Sequence, residues 1–561
     1  MLRDHTVPGF TRDFPNFLAV CAVATGLAML SVSSLQAQTV ATFAGAQTVL
    51  ANAGSVAVAL GRSGNVYIQD NGWSPLDNLD KIKGSLEKAG FSLQAGSEEY
   101  VEYMDWVKET CERNMQDTAF NNPAPNAYAT LVLPVHQGTV IPPGRWLWQL
   151  DEQEAIVIVG RTPPEAAYFS YQTILGFLPI SPWPPQSPGF LPTRVAPSVG
   201  DAINIGTIKT LGPDKVKRPI VIVITGHRGT EKAVRRALLA GGVPDAVINV
   251  ETISPALGAL GTKDKGSWFY WAHRVSVPKS ESEVLDYLKT VGDQLKVFRV
   301  RPNQQLAQQL GKDPEPIPVL RVRGTGHTEM DLYPAVLRLR QAILDHYRAT
   351  PYKELDTHVF SATAWDGQEV LAEKPYVALQ RGITSLGVTR DTNYLGTYPT
   401  FMLRQGVPEF VIVYGVNHQK TGKVTYAAVG AYANAIRWFG IGTALSPTFE
   451  GSANTFLPGD PDADKLYVLK VARDCTGVDH CLQINPPKFL DLWGNPYPTN
   501  PACALDDLST PEKTEIPFNL DQERLFFIFR SYMEPSTLVG PDDNELVYDR
   551  AIYFGPYFAK Q

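Results

Sequence analysis

The stretch PIVIVITGHRGTEKAVRRALLAGGVPDAVINVETI, residues 219–253, decides the fold of the middle of the chain. It begins with an unbroken Val/Ile run, passes through a polar turn into a segment with helical spacing, and reaches a second apolar run after a Gly-Gly pair. An uninterrupted apolar run is typical of a strand that is buried on both faces of a parallel sheet. The stretch therefore predicts a strand–helix–strand unit within an interrupted α/β region.

The flanking sequence extends this prediction in both directions. Helical spacing and apolar runs before and after the stretch predict helices over 77–90, 98–117, 282–297 and about 332–348, and strand-like runs over 129–135, 155–159 and 318–327. In the C-terminal third, turns rich in Pro, Gly and Asp separate apolar runs at 410–416, 465–472 and 524–532. That spacing indicates antiparallel β structure. The sequence shows no periodic repeat, heptad or low-complexity tract.

Composition limits the classes of protein that fit. The 561 residues include 50 Lys+Arg and 57 Asp+Glu, a formal net charge of −7, with 44% hydrophobic and 19% charged residues. This is an ordinary globular balance, and the absence of a basic run argues against a nucleic-acid partner. Seven prolines in residues 179–197 mark a boundary near 200. We therefore predict a signal segment and three regions, over residues 1–37, 38–200, 201–400 and 401–561.

The N-terminus has the pattern of a secretory signal. Residues 17–30 are uncharged and apolar, two arginines precede them, and Leu35 and Ala37 fit the small-residue cleavage pattern. Fourteen residues are fewer than the roughly twenty that a membrane-spanning helix needs. We expect cleavage after Ala37, export to the periplasm or the extracellular space, and no stable membrane insertion afterwards. An uncleaved membrane anchor is the alternative.

Four cysteines remain after the predicted cleavage: Cys111, Cys475, Cys481 and Cys503. An exported chain with an even number of cysteines is expected to form disulfides, and four cysteines allow three pairings. We favour Cys475 with Cys481, because CTGVDHC contains Gly477 and can fold back as a tight loop. That choice leaves Cys111 with Cys503. The predicted fold class is α+β, with an α/β middle, a β-rich C-terminal region and two disulfides.

Four histidines follow strand-like runs: His136, His227, His327 and His418. In open α/β sheets, ligands bind beyond the carboxyl ends of the strands. If these runs lie parallel in one sheet, the imidazoles gather at one edge, where they could hold a divalent metal or divide acid and base roles. The alternative is that each histidine is an ordinary turn residue and that His418 belongs to a separate sheet.

The segment GTGHTEMDLYP, residues 324–334, concentrates candidate metal ligands. His327, Glu329 and Asp331 alternate, so in an extended segment their side chains share one face. An imidazole and carboxylates suit zinc, iron or manganese with open coordination positions. We predict a metal site formed by His327, Glu329 and His418. In the alternative interpretation, Asp331 caps the following helix and Glu329 is solvated.

His227 and Arg228 are the predicted catalytic residues. They precede a helix N-terminus, where backbone N–H groups and the helix dipole favour an anionic ligand. Arg228 could bind a carboxylate or phosphate in bidentate fashion, with His227 as a further metal ligand or a general base. Alternatively, Thr230 caps the helix and Arg228 lies in solvent.

Aromatic residues are dense at Trp268–Trp271, directly before His273 and Arg274. Core packing is the favoured interpretation of this cluster, and a ligand-binding surface is the alternative.

These patterns predict an exported, metal-assisted enzyme, with hydrolysis of a small or anionic substrate as the expected reaction because the sequence contains no organic-cofactor motif. Two alternatives come from other classes. One is a metal-free ligand-binding protein of the periplasm or cell surface. The other is a non-haem metal oxidoreductase that uses the same residues.

Overall fold

The computed structural model describes residues 58–60, 66–68, 72–101, 127–136, 146–178, 198–263, 265–363, 369–371, 389–433, 439–484, 520–521 and 523–556. The predicted signal peptide, the proline-rich segment and the Cys111–Cys503 pair lie outside the described residues. The chain forms two compact units, Met1–Asn71 and Gly72–Gln561. The described part of the first unit is one antiparallel hairpin of β1 (Val58–Leu60) and β2 (Val66–Ile68).

The second unit is a mixed α+β structure with two nine-stranded sheets. The strands of the first sheet are β3 (Phe91–Val101), β4 (Ala127–Val132), β5 (Ala155–Arg161), β6 (Ala166–Phe177), β7 (Ile203–Asn204), β8 (Pro219–Thr225), β9 (Ile248–Thr252), β10 (Trp268–Pro278) and β11 (Leu295–Pro302). The helices among and beside them are α1 (Leu79–Lys88), α2 (Arg228–Ala240), α3 (Glu281–Lys289), α4 (Val291–Gln294) and α5 (Gln304–Leu310).

The second sheet follows helix α6 (Tyr333–His346). Its strands are β12 (Tyr352–Val359), β15 (Thr392–Tyr398), β16 (Phe410–Val416), β17 (Tyr426–Ala433), β18 (Phe439–Leu445), β19 (Leu466–Ala472), β20 (Cys481–Gln483), β21 (Leu525–Tyr532) and β22 (Arg550–Phe554). A separate hairpin of β13 (Ser361–Thr363) and β14 (Glu369–Leu371) lies between β12 and β15 in the chain. Short 3₁₀ turns occur at Asp245–Val247, Met330–Leu332, Ser446–Phe449, Ser452–Thr455, Ala463–Lys465 and Asp543–Glu545.

The two sheets have the same topology. The strand order is β7-β6-β10-β4-β3-β11-β5-β8-β9 in the first sheet and β18-β17-β21-β15-β12-β22-β16-β19-β20 in the second. Each strand of one order has a counterpart at the same place in the other, and the counterparts follow the same chain order. Each sheet has one parallel pair, at the same edge: β8 with β9 and β19 with β20. The unit is therefore an internal structural repeat, with a first repeat from α1 to β11 and a second repeat from α6 to β22.

Equivalent helices cover equivalent sheet faces. In the first repeat, α1 buries Ile82 and Leu86 against the face that carries Val157 of β5. In the second, α6 buries its apolar stripe against the face that carries Ile412 of β16. The opposite faces of both sheets are also apolar, which is why both β5 and β16 are nearly continuous hydrophobic runs.

Several sequence predictions are confirmed. The 219–253 stretch forms β8, α2 and β9 with a parallel pairing. The helix predicted near 332 is α6, and the three C-terminal runs are the antiparallel strands β16, β19 and β21. Cys475 and Cys481 form a disulfide with a Cα–Cα distance of 5.7 Å. In the described part of the chain, no helix combines the length and the apolar character that crossing a membrane requires.

Three predictions are wrong over described residues. Residues 98–101 belong to β3, because pairing with β4 and β11 overrides their helical spacing. The single helix predicted over 282–297 is two helices, α3 and α4, and residues 295–297 begin β11. The run 318–327 joins no strand: it is an extended connection between the repeats in which Val319 is 98% exposed.

A buried glutamate precedes β5 and its counterpart precedes β16. Glu154 accepts hydrogen bonds from Arg299 at 2.8 Å and interacts with His136 at 2.9 Å. Glu409 accepts one from the Tyr553 hydroxyl at 2.6 Å. Arg299 and Tyr553 occupy equivalent register positions on β11 and β22, each opposite the second residue after the glutamate. In each repeat a buried carboxylate therefore connects the equivalent pair of strands, β5 with β11 and β16 with β22, but the residue that donates to it differs.

We expect Glu154→Gln to lower the free energy of unfolding by about 3 kcal/mol, because it leaves the buried Arg299 without a counter-charge. Burial raises the pKa of Glu154, but the hydrogen bond with His136 and the charge of Arg299 outweigh burial and lower the pKa to about 2. The stabilisation is therefore present above about pH 4.5 and is lost as the pH falls towards 2. Urea unfolding of both proteins across this range is the measurement.

Glu165→Gln is the matched control, since Glu165 forms an exposed pair with Lys279. It should change stability by less than about 0.5 kcal/mol. An equal loss in both variants would contradict a special role for Glu154.

Candidate functional site

The structure brings two of the three predicted metal ligands together. His418 Nδ1 lies 2.7 Å from Glu329 Oε2, and both side chains are buried. His418 Nε2 lies 3.7 Å from Asp549 Oδ2. His327 is exposed, and its backbone carbonyl accepts a hydrogen bond from Lys423 Nζ.

The imidazole of His418 is held between two carboxylates as an ion pair. Burial lowers the pKa of His418, but the charge of Glu329 and the contacts with Asp549 raise it further, to about 10. Thr421 and Tyr467 donate hydrogen bonds to the outer oxygens of Glu329 and Asp549, at 2.5 and 2.6 Å. A protonated imidazole has no lone pair for a metal. Within the described residues, no group of three or more His, Cys, Asp or Glu side chains could hold a metal ion.

His227 and Arg228, the predicted catalytic pair, are bonded to the segment after α5. His227 caps α2, with Nδ1 accepting from the Thr230 amide at 3.0 Å and Nε2 lying 3.1 Å from the Gly311 carbonyl oxygen. The Arg228 guanidinium pairs with Asp313 at 2.6 Å. The positive charge at this helix N-terminus thus already has a carboxylate partner.

The four histidines do not gather at one sheet edge. His136 and His227 belong to the first repeat, His418 follows β16 in the second, and His327 lies in the connection between the repeats. The carboxyl ends of β8 and β16 lie in different sheets, so histidines that follow similar apolar runs are not brought together in space.

A different cluster, built around Arg274 and Arg530, lies where the two sheets meet. Arg274 is the register partner of Tyr128, and Arg530 is the partner of Tyr394, on equivalent strands. Three residues after each arginine, a residue has a positive φ, 52° at Val277 and 49° at Met533. The two guanidinium groups therefore occupy equivalent positions of the structural repeat.

Tyrosine rings surround both guanidinium groups. Arg274 lies 5.2 Å from the ring centre of Tyr128 and 5.9 Å from that of Tyr532, and its Nε donates to the Tyr128 hydroxyl at 3.1 Å. Arg530 lies 5.6 Å from the ring centre of Tyr394 and 5.4 Å from that of Tyr432. These distances fall within the range of cation–π attraction.

Ring contacts cross the boundary between the sheets and join the cluster together. Tyr426 and Tyr532 stack with centres 4.5 Å apart and planes 6° apart. Tyr168 of the first sheet packs against both, at 5.9 and 5.2 Å. Tyr168 and Tyr426 are themselves equivalent, each two residues before the register partner of its arginine.

The tyrosines do not supply negative charge to the two arginines. Burial raises the pKa of Tyr168, Tyr426 and Tyr532, and it raises that of Tyr432 to about 12, so these hydroxyls stay protonated at neutral pH. Arginine keeps its proton at any physiological pH. The cluster therefore holds two positive charges among neutral phenols, with the carboxylate of Asp391 at its edge.

The buried Arg299 can be compared with Arg274, because Arg299 has a carboxylate partner. Arg299 is 1% exposed and pairs with Glu154. Arg274 is 6% exposed, and among the described residues no carboxylate forms an ion pair with it. Asp391 lies near enough for its pKa to respond to the charge of Arg274, but its carboxylate bonds to Tyr168 and Asn204.

Sequence reasoning noted Arg274 only as a residue beside an aromatic cluster, and it did not single out Arg530. A usable signal was present, because each arginine ends an aromatic-rich run, WFYWAHR at 268–274 and LFFIFR at 525–530. A charged residue inside a run that is otherwise buried calls for a partner, and this pattern occurs twice. Both residues lie within strands, not at strand ends.

We expect His418→Gln to lower the free energy of unfolding by about 3 kcal/mol at neutral pH, because it leaves Glu329 and Asp549 buried without a positive partner. The folded-state pKa of His418 is raised, so its stabilisation is fully present below about pH 6.5 and is lost as the pH rises through about 10. Chemical unfolding of both proteins between these pH values measures the difference.

His327→Gln is the control, because the exposed His327 side chain should contribute less than about 0.5 kcal/mol. A wild-type advantage over His418→Gln that stays constant up to pH 10 would contradict the ion-pair interpretation.

Comparison with known proteins gives no family. No family model and no curated protein matches the chain. Among solved structures, an uncharacterized protein from Burkholderia cenocepacia is similar at 11% identity, with 86% of this chain and 96% of that chain covered and a TM-score of 0.35. The VPA0106 protein from Vibrio parahaemolyticus is similar at 12% identity, covering 85% and 100% of the two chains, with a TM-score of 0.31. Similarity at this level carries no conclusion about function.

Proposed function

We propose that this protein is an exported, metal-free binding protein for a small oxyanion, held by Arg274 and Arg530 where the two sheets meet. The observation that carries the proposal is the burial of two guanidinium groups, at equivalent positions of the repeat, among tyrosines that stay neutral. The predicted signal sequence supports export.

Burying a charge that has no ion-pair partner is costly, and among the described residues no carboxylate forms an ion pair with Arg274. Cation–π contacts and the Tyr128 hydroxyl offset part of this cost for Arg274. An anion contributes more, because unit charges 4 Å apart attract by about 4 kcal/mol at an effective dielectric constant of about 20. A ligand with negatively charged oxygens is therefore the partner that the electrostatics of the cluster favour.

The donors in the cluster suit an oxyanion in particular. Guanidinium N–H groups bind carboxylate, sulfate and phosphate oxygens in a planar fork, and tyrosine hydroxyls donate to the same oxygens. The site would form only in the folded protein, since its residues come from both sheets.

We expect inorganic phosphate, sulfate or acetate to bind the wild-type protein saturably in isothermal titration calorimetry. Arg274→Met and Arg530→Met should each weaken that binding by about tenfold or more, since each removes one charge while keeping a similar volume. Arg338→Met is the control, because Arg338 is exposed and pairs with Asp460 on the surface, and it should bind as the wild type does.

Thermal melts followed by circular dichroism show whether the two arginine variants are folded. Failure of all three anions to bind the wild type, or equal binding by Arg274→Met, Arg530→Met and the wild type, would overturn the proposal.

The predicted metal-assisted hydrolase is the second candidate, and the 2.7 Å contact between Glu329 and His418 is the observation that favours it. For a metal to bind there, His418 would have to release its proton and exchange a carboxylate contact for the metal. Zinc, iron or manganese would then activate a water molecule for hydrolysis of an anionic substrate oriented by Arg228.

Elemental analysis of protein purified without chelators tests the metal site. A metal enzyme would contain about one equivalent of zinc, iron or manganese, and Glu329→Gln would lose it. The His418 ion pair instead predicts less than about 0.1 equivalent in both proteins. One equivalent retained in the wild type and lost in Glu329→Gln would contradict the metal-free proposal.

A further inference from the structure

Asp391 contributes an acceptor at the edge of the arginine–tyrosine cluster. It lies just before β15 of the second repeat, and its side chain is fully buried. Its Oδ2 accepts hydrogen bonds from the Tyr168 hydroxyl at 2.8 Å and from Asn204 Nδ2 at 2.9 Å, both in the first repeat. One carboxylate oxygen is thus used to join the two repeats.

The other oxygen, Oδ1, accepts no hydrogen bond from any residue that the structure describes. A buried carboxylate oxygen without a donor is rare in folded proteins and calls for an explanation. Burial raises the pKa of Asp391 to about 6, while the bonds from Asn204 and Tyr168 and the charge of Arg274 act in the opposite direction. At neutral pH and above, Oδ1 is therefore an ionised acceptor that lacks a donor.

Ring contacts connect this acceptor to Arg274. The ring centre of Tyr168, which donates to Asp391, lies 5.2 Å from that of Tyr532. The guanidinium of Arg274 lies 5.9 Å from the ring centre of Tyr532. The neighbourhood therefore combines several donors, from guanidinium and phenol groups, with one acceptor that has no donor. A ligand that satisfies both needs anionic oxygens and one hydrogen-bond donor of its own.

We infer that Asp391 Oδ1 accepts a hydrogen bond from the ligand, so that the site selects an oxyanion that carries a hydroxyl group, hydrogen phosphate being the simplest, over a fully ionised one such as sulfate. This inference rests on the proposed anion site and adds the basis of its selectivity. Phosphate and sulfate have nearly the same size and shape, but only phosphate keeps a proton near neutral pH. Opposite sulfate, the Asp391 carboxylate would face an oxygen without a proton, and the two would repel.

The test compares matched anions on the wild-type protein at about pH 8, where Asp391 is ionised. Calorimetry should give inorganic phosphate an affinity about tenfold or more above that of sulfate. Methyl phosphate should bind about as weakly as sulfate, because its dianion has the same charge as hydrogen phosphate but no hydroxyl proton.

Variants identify the acceptor. Asp391→Asn keeps an oxygen for Tyr168 and Asn204 and replaces the acceptor Oδ1 with a donor, so the preference for phosphate should fall to about twofold or less. Tyr168→Phe removes a donor to Oδ2 only, and it should keep the preference. Arg274→Met should lose affinity for both anions.

The outcomes separate this inference from the proposal on which it rests. Equal binding of phosphate and sulfate by the wild type, or an unchanged preference in folded Asp391→Asn, would overturn the selectivity and leave the anion site standing. Binding of neither phosphate, sulfate nor acetate would overturn both.

Discussion

Two permanent positive charges have to be buried where the sheets of this protein meet, and the surrounding structure is arranged around that constraint. Arg274 and Arg530 cannot lose their protons, so the protein can only compensate for them. Ring faces from both repeats offset part of the charge of Arg274, and ring faces of the second repeat offset part of that of Arg530. Arg274 differs in this respect from Arg299, which forms an ion pair with the carboxylate of Glu154. The contrast between Arg274 and Arg299 is the reason for proposing an anion site at Arg274.

The structural repeat shows which polar features belong to the shared topology and which belong to one repeat. The buried glutamates before β5 and β16 are common to both, although one bonds to Arg299 and the other to Tyr553. The fully buried contact of Glu98 with His273, at 2.6 Å, belongs to the first repeat alone, since Phe529 stands at the register position that corresponds to His273. The arginines are retained in both repeats, in the same setting of tyrosines. Arg274 and Arg530 occupy equivalent positions although other residues of the two repeats differ. This agreement fits a joint role of the two arginines where the sheets meet.

Much of the fold could be predicted from the sequence where the deciding contacts are local. The β8–α2–β9 unit follows from an apolar run, a capped helix and a short return, all within 35 residues. Residues 98–101 were misassigned because their helical spacing is weaker than the pairing of β3 with strands that are distant in the chain. The repeat itself was not visible in the sequence, because topology was kept while side chains changed, as at Arg299 and Tyr553. The predicted cluster of four histidines does not form for a related reason. Residues that follow two similar apolar runs lie close together only if both runs are strands of one sheet, and β8 and β16 belong to different sheets.

The candidate site was the least predictable part, because neither repeat forms it alone. Arg274 takes ring contacts from Tyr128 of its own sheet and Tyr532 of the other, and Asp391 of the second repeat bonds to Tyr168 of the first. No local sequence window contains such a set. In the proposed anion site the same geometry would couple binding to assembly, since an anion that interacts with both arginines would bind only when the sheets are packed together. By linkage, such an anion would stabilise the packed state more as its occupancy rises. The proposed site would therefore add to the contacts that hold the two repeats together, among them the hydrogen bond between Asp391 and Tyr168.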